Sequence, residues 1–124
     1  MGINSFFLDT YALYEIISGN RHYTPYLAHT SLVTTRLNLM ELYYALLRTH
    51  DAATAKHYYL SFLPYCIDFP NEVIWDAMHV KYARRQKRLS YIDCVGYLLA
   101  LSLHIPFLTG DRQFEGLPSV EFVK

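Results

Sequence analysis

Short apolar runs alternate with helix-patterned segments along this chain. Ile3–Leu8 ends in Phe6-Phe7-Leu8 and stops at Asp9, which predicts a short buried strand. Thr10–Ser18 places Ala12, Leu13, Ile16 and Ile17 on one side of a helix, and Gly19-Asn20 stops it. Ser31–Thr34 predicts a second strand. Leu37–Arg48 has a strong helical pattern, and Ala52–Leu63 continues helically to Pro64. Tyr65–Phe69 predicts a third strand, ended by Pro70. Asn71 is placed as the cap of a long helix reaching about Lys87, and Ser90 opens another that runs to about His104. Ile105–Leu108 and Val120–Val123 predict the fourth and fifth strands, separated by a turn at Thr109-Gly110-Asp111.

Strands that alternate with helices imply right-handed crossovers and a mainly parallel sheet. Such strands are buried on both faces, which suits their unbroken apolar character. The expected architecture is a three-layer α/β/α sandwich with a five-stranded sheet, a single domain over residues 1–124. In such folds ligands bind beyond the carboxyl ends of the strands. The residues that follow each strand are therefore the first place to look for chemistry.

Composition narrows the function. The chain has 124 residues, 52% hydrophobic and 18% charged, which excludes a disordered or purely solvating protein. Lys and Arg total 11, Asp and Glu total 11, and the formal net charge is zero. That balance argues against bulk electrostatic coating of nucleic acid and suits self-association or a lasting partner. Cys66 and Cys94 stand far apart with no CxxC, which fits small core residues in a reducing cytosol. Asp9 interrupts the N-terminal apolar stretch early and no basic region precedes it, so a signal peptide is not expected. Phe6 occupies the position where a myristoylation signal needs Ser or Thr. The longest apolar run, Val95–Leu103, is broken by Gly96 and Ser102 and falls short of the ~20 residues of a membrane span. The expected location is the cytoplasm.

Two predicted strands lead into an acid at the sheet edge. Asp9 directly follows Phe6-Phe7-Leu8, and Asp111 follows Phe107-Leu108-Thr109-Gly110. Read singly, Asp9 suits a helix N-cap, a role Thr10 also fits, and Asp111 suits a turn beside Gly110. Two further acids interrupt apolar helical patterns. Glu41 has Leu37, Asn38, Tyr44 and Ala45 as its helical neighbours. A carboxylate on that face is costly unless donors or a cation meet it, and Arg48 is the candidate internal partner. Asp93, in Ser90-Tyr91-Ile92-Asp93, reads as the acid of a capping box headed by Ser90. Together the four can converge on one sheet edge, where they would repel one another unless a divalent cation neutralised them. All-oxygen ligation suits Mg²⁺ or Mn²⁺ rather than zinc. The reaction class this suggests is metal-assisted phosphodiester hydrolysis.

These pieces resemble the PIN domain, specifically the VapC-type toxins of prokaryotic toxin–antitoxin pairs. The resemblance rests on Phe6-Phe7-Leu8-Asp9-Thr10, Asn38-Leu39-Met40-Glu41-Leu42, Leu89-Ser90-Tyr91-Ile92-Asp93 and Leu108-Thr109-Gly110-Asp111-Arg112-Gln113-Phe114. It implies a five-stranded parallel sheet and an Mg²⁺- or Mn²⁺-dependent endoribonuclease. Asp9, Glu41, Asp93 and Asp111 match the family's four acids and would carry catalysis and metal. Thr109 matches a polar position near the metal, and Thr10 is a second supporting polar residue. Many relatives place a further acid where this chain has Gln113, which puts a second metal in doubt. The resemblance also implies a homodimer and a small antitoxin that covers the acidic pocket. Some members of the family process RNA instead of acting as toxins, and some are inactive interaction modules.

Lys81, Arg84, Arg85, Lys87 and Arg88 supply five of the 11 basic residues. Lys81, Arg84, Arg85 and Arg88 are expected to share one helical face, as an RNA or antitoxin contact or as an ordinary solvated helix end. Arg112 is a further phosphate-contact candidate. Tyr43, Tyr44, Tyr58 and Tyr59 are expected in core or dimer packing, and the six histidines at the surface or in packing. A receiver-type signalling domain would want adjacent acids near the first strand and a Lys after a late one; both are missing. A dehalogenase-type phosphatase would want a second Asp where Tyr11 stands.

Overall fold

The computed structural model describes residues 5–28 and 31–124; Ile3 and Asn4, assigned above to the first strand, lie outside them. Four strands form one sheet: β1 (Ser5–Leu8), β2 (Ser31–Val33), β3 (Phe107–Thr109) and β4 (Val120–Phe122), in the order β2-β1-β3-β4. All three pairings are parallel, with Phe7 opposite Phe107 and Leu8 opposite Leu108 at the centre.

The strand period of two decides which core each residue enters. Phe7 and Phe107 stack at 5.6 Å and face one core. There they meet α4 (Asn71–Ala83) and α5 (Tyr91–Ser102) through Val73, Ala77, Val95 and Leu99. Leu8 and Leu108 face the opposite core. They pack with Ala12 and Leu13 of α1 (Thr10–Ile17), Leu39, Leu42 and Leu46 of α2 (Arg36–Thr49) and Ala55 of α3 (Ala52–Phe62). The result is the expected three-layer α/β/α arrangement. Gly96 lets α5 lie close to β1, because a Cβ there would stand 2.8 Å from the Phe7 ring.

Two expectations need correction. Among the described residues the sheet has four strands, not five, because Tyr65–Phe69 does not form one. Only Cys66 bridges to Thr34, through Thr34 N–H to Tyr65 O and Ile67 N–H to Thr34 O, both 3.0 Å. Pro64 holds Leu63–Tyr65 in a 3-10 turn and Pro70 closes the other side, so too few residues remain for a ladder. The long helix also stops at Ala83 instead of Lys87, with Pro70 rather than Asn71 at its N-cap. Arg84 leaves helical geometry at φ −113°, ψ 35°, so residues 84–90 form a connection that returns Leu89 to the core. Lys81, Arg84, Arg85 and Arg88 therefore do not share a helical face. Cys94 is buried, Cys66 is half-buried, and neither is in a disulfide.

Connections leave β1 toward β2 on one side, whereas β3 and β4 lie on the other. The point where strand order reverses is thus the β1/β3 pair, the place where parallel sheets open a crevice at their carboxyl edge.

Candidate active site

The β1/β3 register sets Asp9 beside Thr109, although they are 100 positions apart in sequence. Asp9 is the N-cap of α1, with Oδ1 accepting from Ala12 N–H at 2.8 Å. Its Oδ2 accepts from the Thr109 hydroxyl at 2.5 Å. The Thr109 oxygen in turn accepts from Asp111 N–H at 3.0 Å, so one threonine links both strand-end acids. Asp111 caps a short 3-10 turn, Arg112–Phe114, through Gln113 N–H to its Oδ1 at 3.0 Å.

The helix acids arrive from both layers. Ser90 and Asp93 form a capping box at the start of α5, with Ser90 N–H donating to Asp93 Oδ2 at 3.1 Å. Glu41 comes from α2, and the Thr10 hydroxyl donates to its Oε1 at 2.6 Å. Asn38, buried one turn earlier, donates to Thr10 Oγ1 at 3.2 Å and accepts from the Thr35 hydroxyl at 2.7 Å. A hydrogen-bonded chain from Thr35 through Asn38 and Thr10 therefore orients Glu41. The caps anticipated for Asp9 and Asp93 are real, and the same two carboxylates still line the cleft.

Asp9, Thr10, Glu41, Asp93 and Asp111 line a single cleft of about 340 Å³, together with Tyr11, Tyr44, Ala45 and Arg48. Asp9 is only 1% exposed, and burial, opposed by its Thr109 and Ala12 hydrogen bonds, pushes its carboxyl up to about 8; Asp93 and Asp111 add repulsion. Asp93 rises to about 6, first from burial and also from the charges of Glu41 and Asp111, against its Ser90 hydrogen bonds. Among the described residues the ion pair within 4.0 Å is Arg112–Glu115, so none of the four acids is in a close ion pair. Arg48 is not the partner of Glu41. It lies 5.3 Å over the ring of Tyr44, which is 63% exposed at the cleft rather than in the core. Arg48 nevertheless lines the cleft, whereas Arg112, paired at 3.6 Å with Glu115, does not.

This donor set fits a hard divalent cation. It is all oxygen, it concentrates like charge, and it holds a buried carboxylate that resists ionising alone. Among the described residues, no three His, Cys, Asp or Glu side chains are drawn together tightly enough to cage an ion by themselves. Mg²⁺ needs no such cage, because it keeps several waters and takes one or two carboxylates. Asn38, Tyr44 and Arg48 were missed as site residues. Their signal was spacing, since all three lie at −3, +3 and +7 from Glu41, one helical face.

The Thr109 link has a measurable weight. Thr109→Val keeps the shape and removes both hydrogen bonds, leaving the Asp111 N–H and the buried Asp9 oxygen without this partner. It should cost about 1–3 kcal/mol in urea unfolding, and Thr109→Ser should recover most of that. Equal stability of the valine and wild-type proteins would show that the link carries no weight.

The doubly wound sheet with its acidic crevice defines the class, and sequence comparison gives the family. The PIN domain profile matches residues 6–119, so the chain belongs to the PIN-domain family. Its fold is that of VapC proteins from toxin–antitoxin systems. It is similar to VapC20 of Mycobacterium tuberculosis, a sarcin-ricin loop cleaving toxin, at TM-score 0.81 and 14% identity, over 96% of this chain and 99% of that one. It is similar to VapBC2 of Rickettsia felis, bound to a DNA fragment from its promoter, at TM-score 0.72 and 16% identity, over 97% and 99%. For VapBC-5 of M. tuberculosis the values are 0.65 and 21%, over 98% of both chains. No protein of curated function matches the sequence significantly. No described helix is long and apolar enough to cross a membrane.

Proposed function

We propose that this protein is a divalent-metal-dependent endoribonuclease, the toxin of a type II toxin–antitoxin pair, acting through Asp9, Glu41, Asp93 and Asp111. The observation that carries this reading is the convergence of these four carboxylates on one cleft at the strand-reversal point, with none of them in an ion pair within 4.0 Å among the described residues. Mg²⁺ or Mn²⁺, when bound, supplies the positive charge that polarises a phosphodiester and makes water more acidic. The chain's own part is to hold the oxygens still. Thr109 and the start of α1 fix Asp9, the α5 cap fixes Asp93, and the Thr35–Asn38–Thr10 chain fixes Glu41. Hydrolysis breaks a P–O bond and adds water, so one proton leaves the attacking water and one reaches the departing oxygen.

The structural relatives from toxin–antitoxin systems support a small antitoxin as partner. The exposed apolar residues of α2 and α3, among them Met40, Leu47 and Leu60, supply a face for it or for a second copy of the chain. The test is cleavage of structured RNA by the purified protein. Activity should vanish in EDTA, return with Mn²⁺, and be lost in Asp93→Asn. Cleavage that ignores the chelator, or persists in Asp93→Asn, would refute the metal-site reading. Expression of the chain alone should arrest growth, and the arrest should depend on Asp93.

A further inference from the structure

The segment between Asp76 and Asp93 contains no acid and holds Lys81, Arg84, Arg85, Lys87 and Arg88, five of the 11 basic residues. Among the described residues none of the five makes an ion pair. Their contacts run to carbonyls and rings instead. Lys81 Nζ donates to Leu89 O at 2.7 Å and stands 4.7 Å over the Tyr91 ring. Arg85 donates to Tyr82 O at 2.9 Å and lies 4.5 Å over the Tyr82 ring. Uncompensated positive charge is thus displayed beside two aromatic rings that are 69% (Tyr82) and 66% (Tyr91) exposed.

This segment is tied to the acidic cleft at two places. On one side Leu89 is buried and Ser90 caps α5 together with Asp93. On the other, Gln113 grips it: its Oε1 accepts from Arg88 N–H at 3.2 Å and its carbonyl accepts from Lys87 Nζ at 3.2 Å. The N–H of the same Gln113 donates to Asp111 Oδ1. The basic connection therefore stands in fixed register with two of the four carboxylates.

We propose that residues 81–91 form a binding track for single-stranded nucleic acid leading into the cleft. Arg84, Arg85, Lys87 and Arg88 meet phosphates, Tyr82 and Tyr91 offer faces for base stacking, and Gln113 is the positioning residue that aligns track and cleft. What happens to the strand in the cleft rests on the nuclease reading; binding along the track does not. Charge alone would equally suit an acidic peptide. The two exposed rings favour nucleic acid, because every base has a face to stack and a run of carboxylates has none. With zero net charge on the whole protein, such binding must be local, which a segment of this kind provides.

The test is fluorescence anisotropy with a short labelled single-stranded RNA, and its DNA counterpart, in EDTA over a range of salt. Metal-free conditions separate binding from cleavage. The triple variant R84S/R85S/R88S should bind at least ~10-fold more weakly, with a salt slope shallower by about 2, since each phosphate contact on a single strand contributes about 0.7. Tyr91→Ala should weaken binding ~5-fold or more with little change in slope. Gln113→Ala keeps the backbone N–H that holds Asp111, so it should raise KM for RNA cleavage about 5-fold and leave kcat near wild type. Preference for RNA, or equal binding of RNA and DNA, both fit the track. Unchanged affinity in the triple variant overturns it. So does an oligoglutamate peptide that binds the wild type as tightly as RNA while Tyr91→Ala is silent, which would make the surface a site for an acidic protein segment. Binding intact in a wild-type protein that cleaves nothing with Mn²⁺ would remove the nuclease reading and leave the track standing.

Discussion

Asp9→Asn should lower RNA cleavage by ~10²-fold or more and, at the same time, stabilise the metal-free protein near pH 8. The first effect follows from its place in the cleft. Residues that merely support a metal ligand are worth about 10–100-fold, so losing an oxygen of the donor set itself costs at least as much. The second follows from burial. In the folded protein the Asp9 carboxyl sits at about 8, against 3.8 for an ordinary aspartate. The folded state therefore holds this proton more tightly than the unfolded chain does. Its favourable contribution is complete below pH ~4 and is lost as pH rises toward 8. Asp93, at about 6, acts in the same direction over the lower part of that window. Asparagine carries no charge to desolvate, and its Oδ1 can still accept the Ala12 N–H. The gain at pH 8 in EDTA should be on the order of a few kcal/mol and should fade toward pH 4. Thermal melts of both proteins from pH 4 to 9 check this. A pH profile of Asp9→Asn parallel to that of wild type would contradict it. Mg²⁺ should raise the wild-type melting temperature at high pH and affect the variant much less.

The parts of this molecule that could be read from sequence are those fixed by local chemistry. Phe6-Phe7-Leu8-Asp9 reads as a buried strand entering a capped helix because three apolar residues and a capping acid leave few alternatives, and β1 and α1 agree. Ser90-Tyr91-Ile92-Asp93 announces its capping box in the same way. What failed was decided at a distance. No Gly or Pro stands between Asn71 and Val95, so nothing local ends the helix at Ala83. Its end is set by the need to bring Leu89 into the core, and the basic residues turn with the chain. The expected third strand has suitable residues but only one partner position, Thr34, with prolines on both sides. Tyr44 was assigned to core or dimer packing because its neighbours are apolar; it is not in the core, and its place at the cleft depends on where α2 sits relative to β1, which periodicity does not encode. Gln113 looked like a departure from a family pattern. Only the tertiary arrangement reveals that it holds Lys87 and Arg88 beside Asp111.

Gly110→Ala should damage both stability and cleavage, because this residue joins the two supports of the strand-end acids. A Cβ at Gly110 would collide with the Tyr11 ring and stand 2.5 Å from the Val123 carbonyl oxygen. Tyr11 can swing at some cost, since its ring is half-buried with Lys124 Nζ 4.9 Å above it. Val123 is held at both ends: its N–H donates to Thr109 O at 2.8 Å and its carbonyl accepts from the Tyr23 hydroxyl at 2.6 Å. Relief must therefore come from the 109–111 backbone itself. That movement pulls Thr109 away from Asp9 and shifts Asp111 with it. Overpacking of this kind costs about 1–3 kcal/mol. Displacing a reacting group by about 1 Å costs roughly 10²-fold in rate, so cleavage should fall further than stability alone explains. Gly19→Ala is the matched control. Gly19 sits at φ +80° with nothing within 4 Å, so alanine there should cost about 1–2 kcal/mol in backbone strain and leave cleavage unchanged. Urea unfolding and single-turnover cleavage of both variants separate the two effects. A folded Gly110→Ala protein that cleaves like wild type would mean that the Thr109–Asp111 turn does not set the geometry of the cleft.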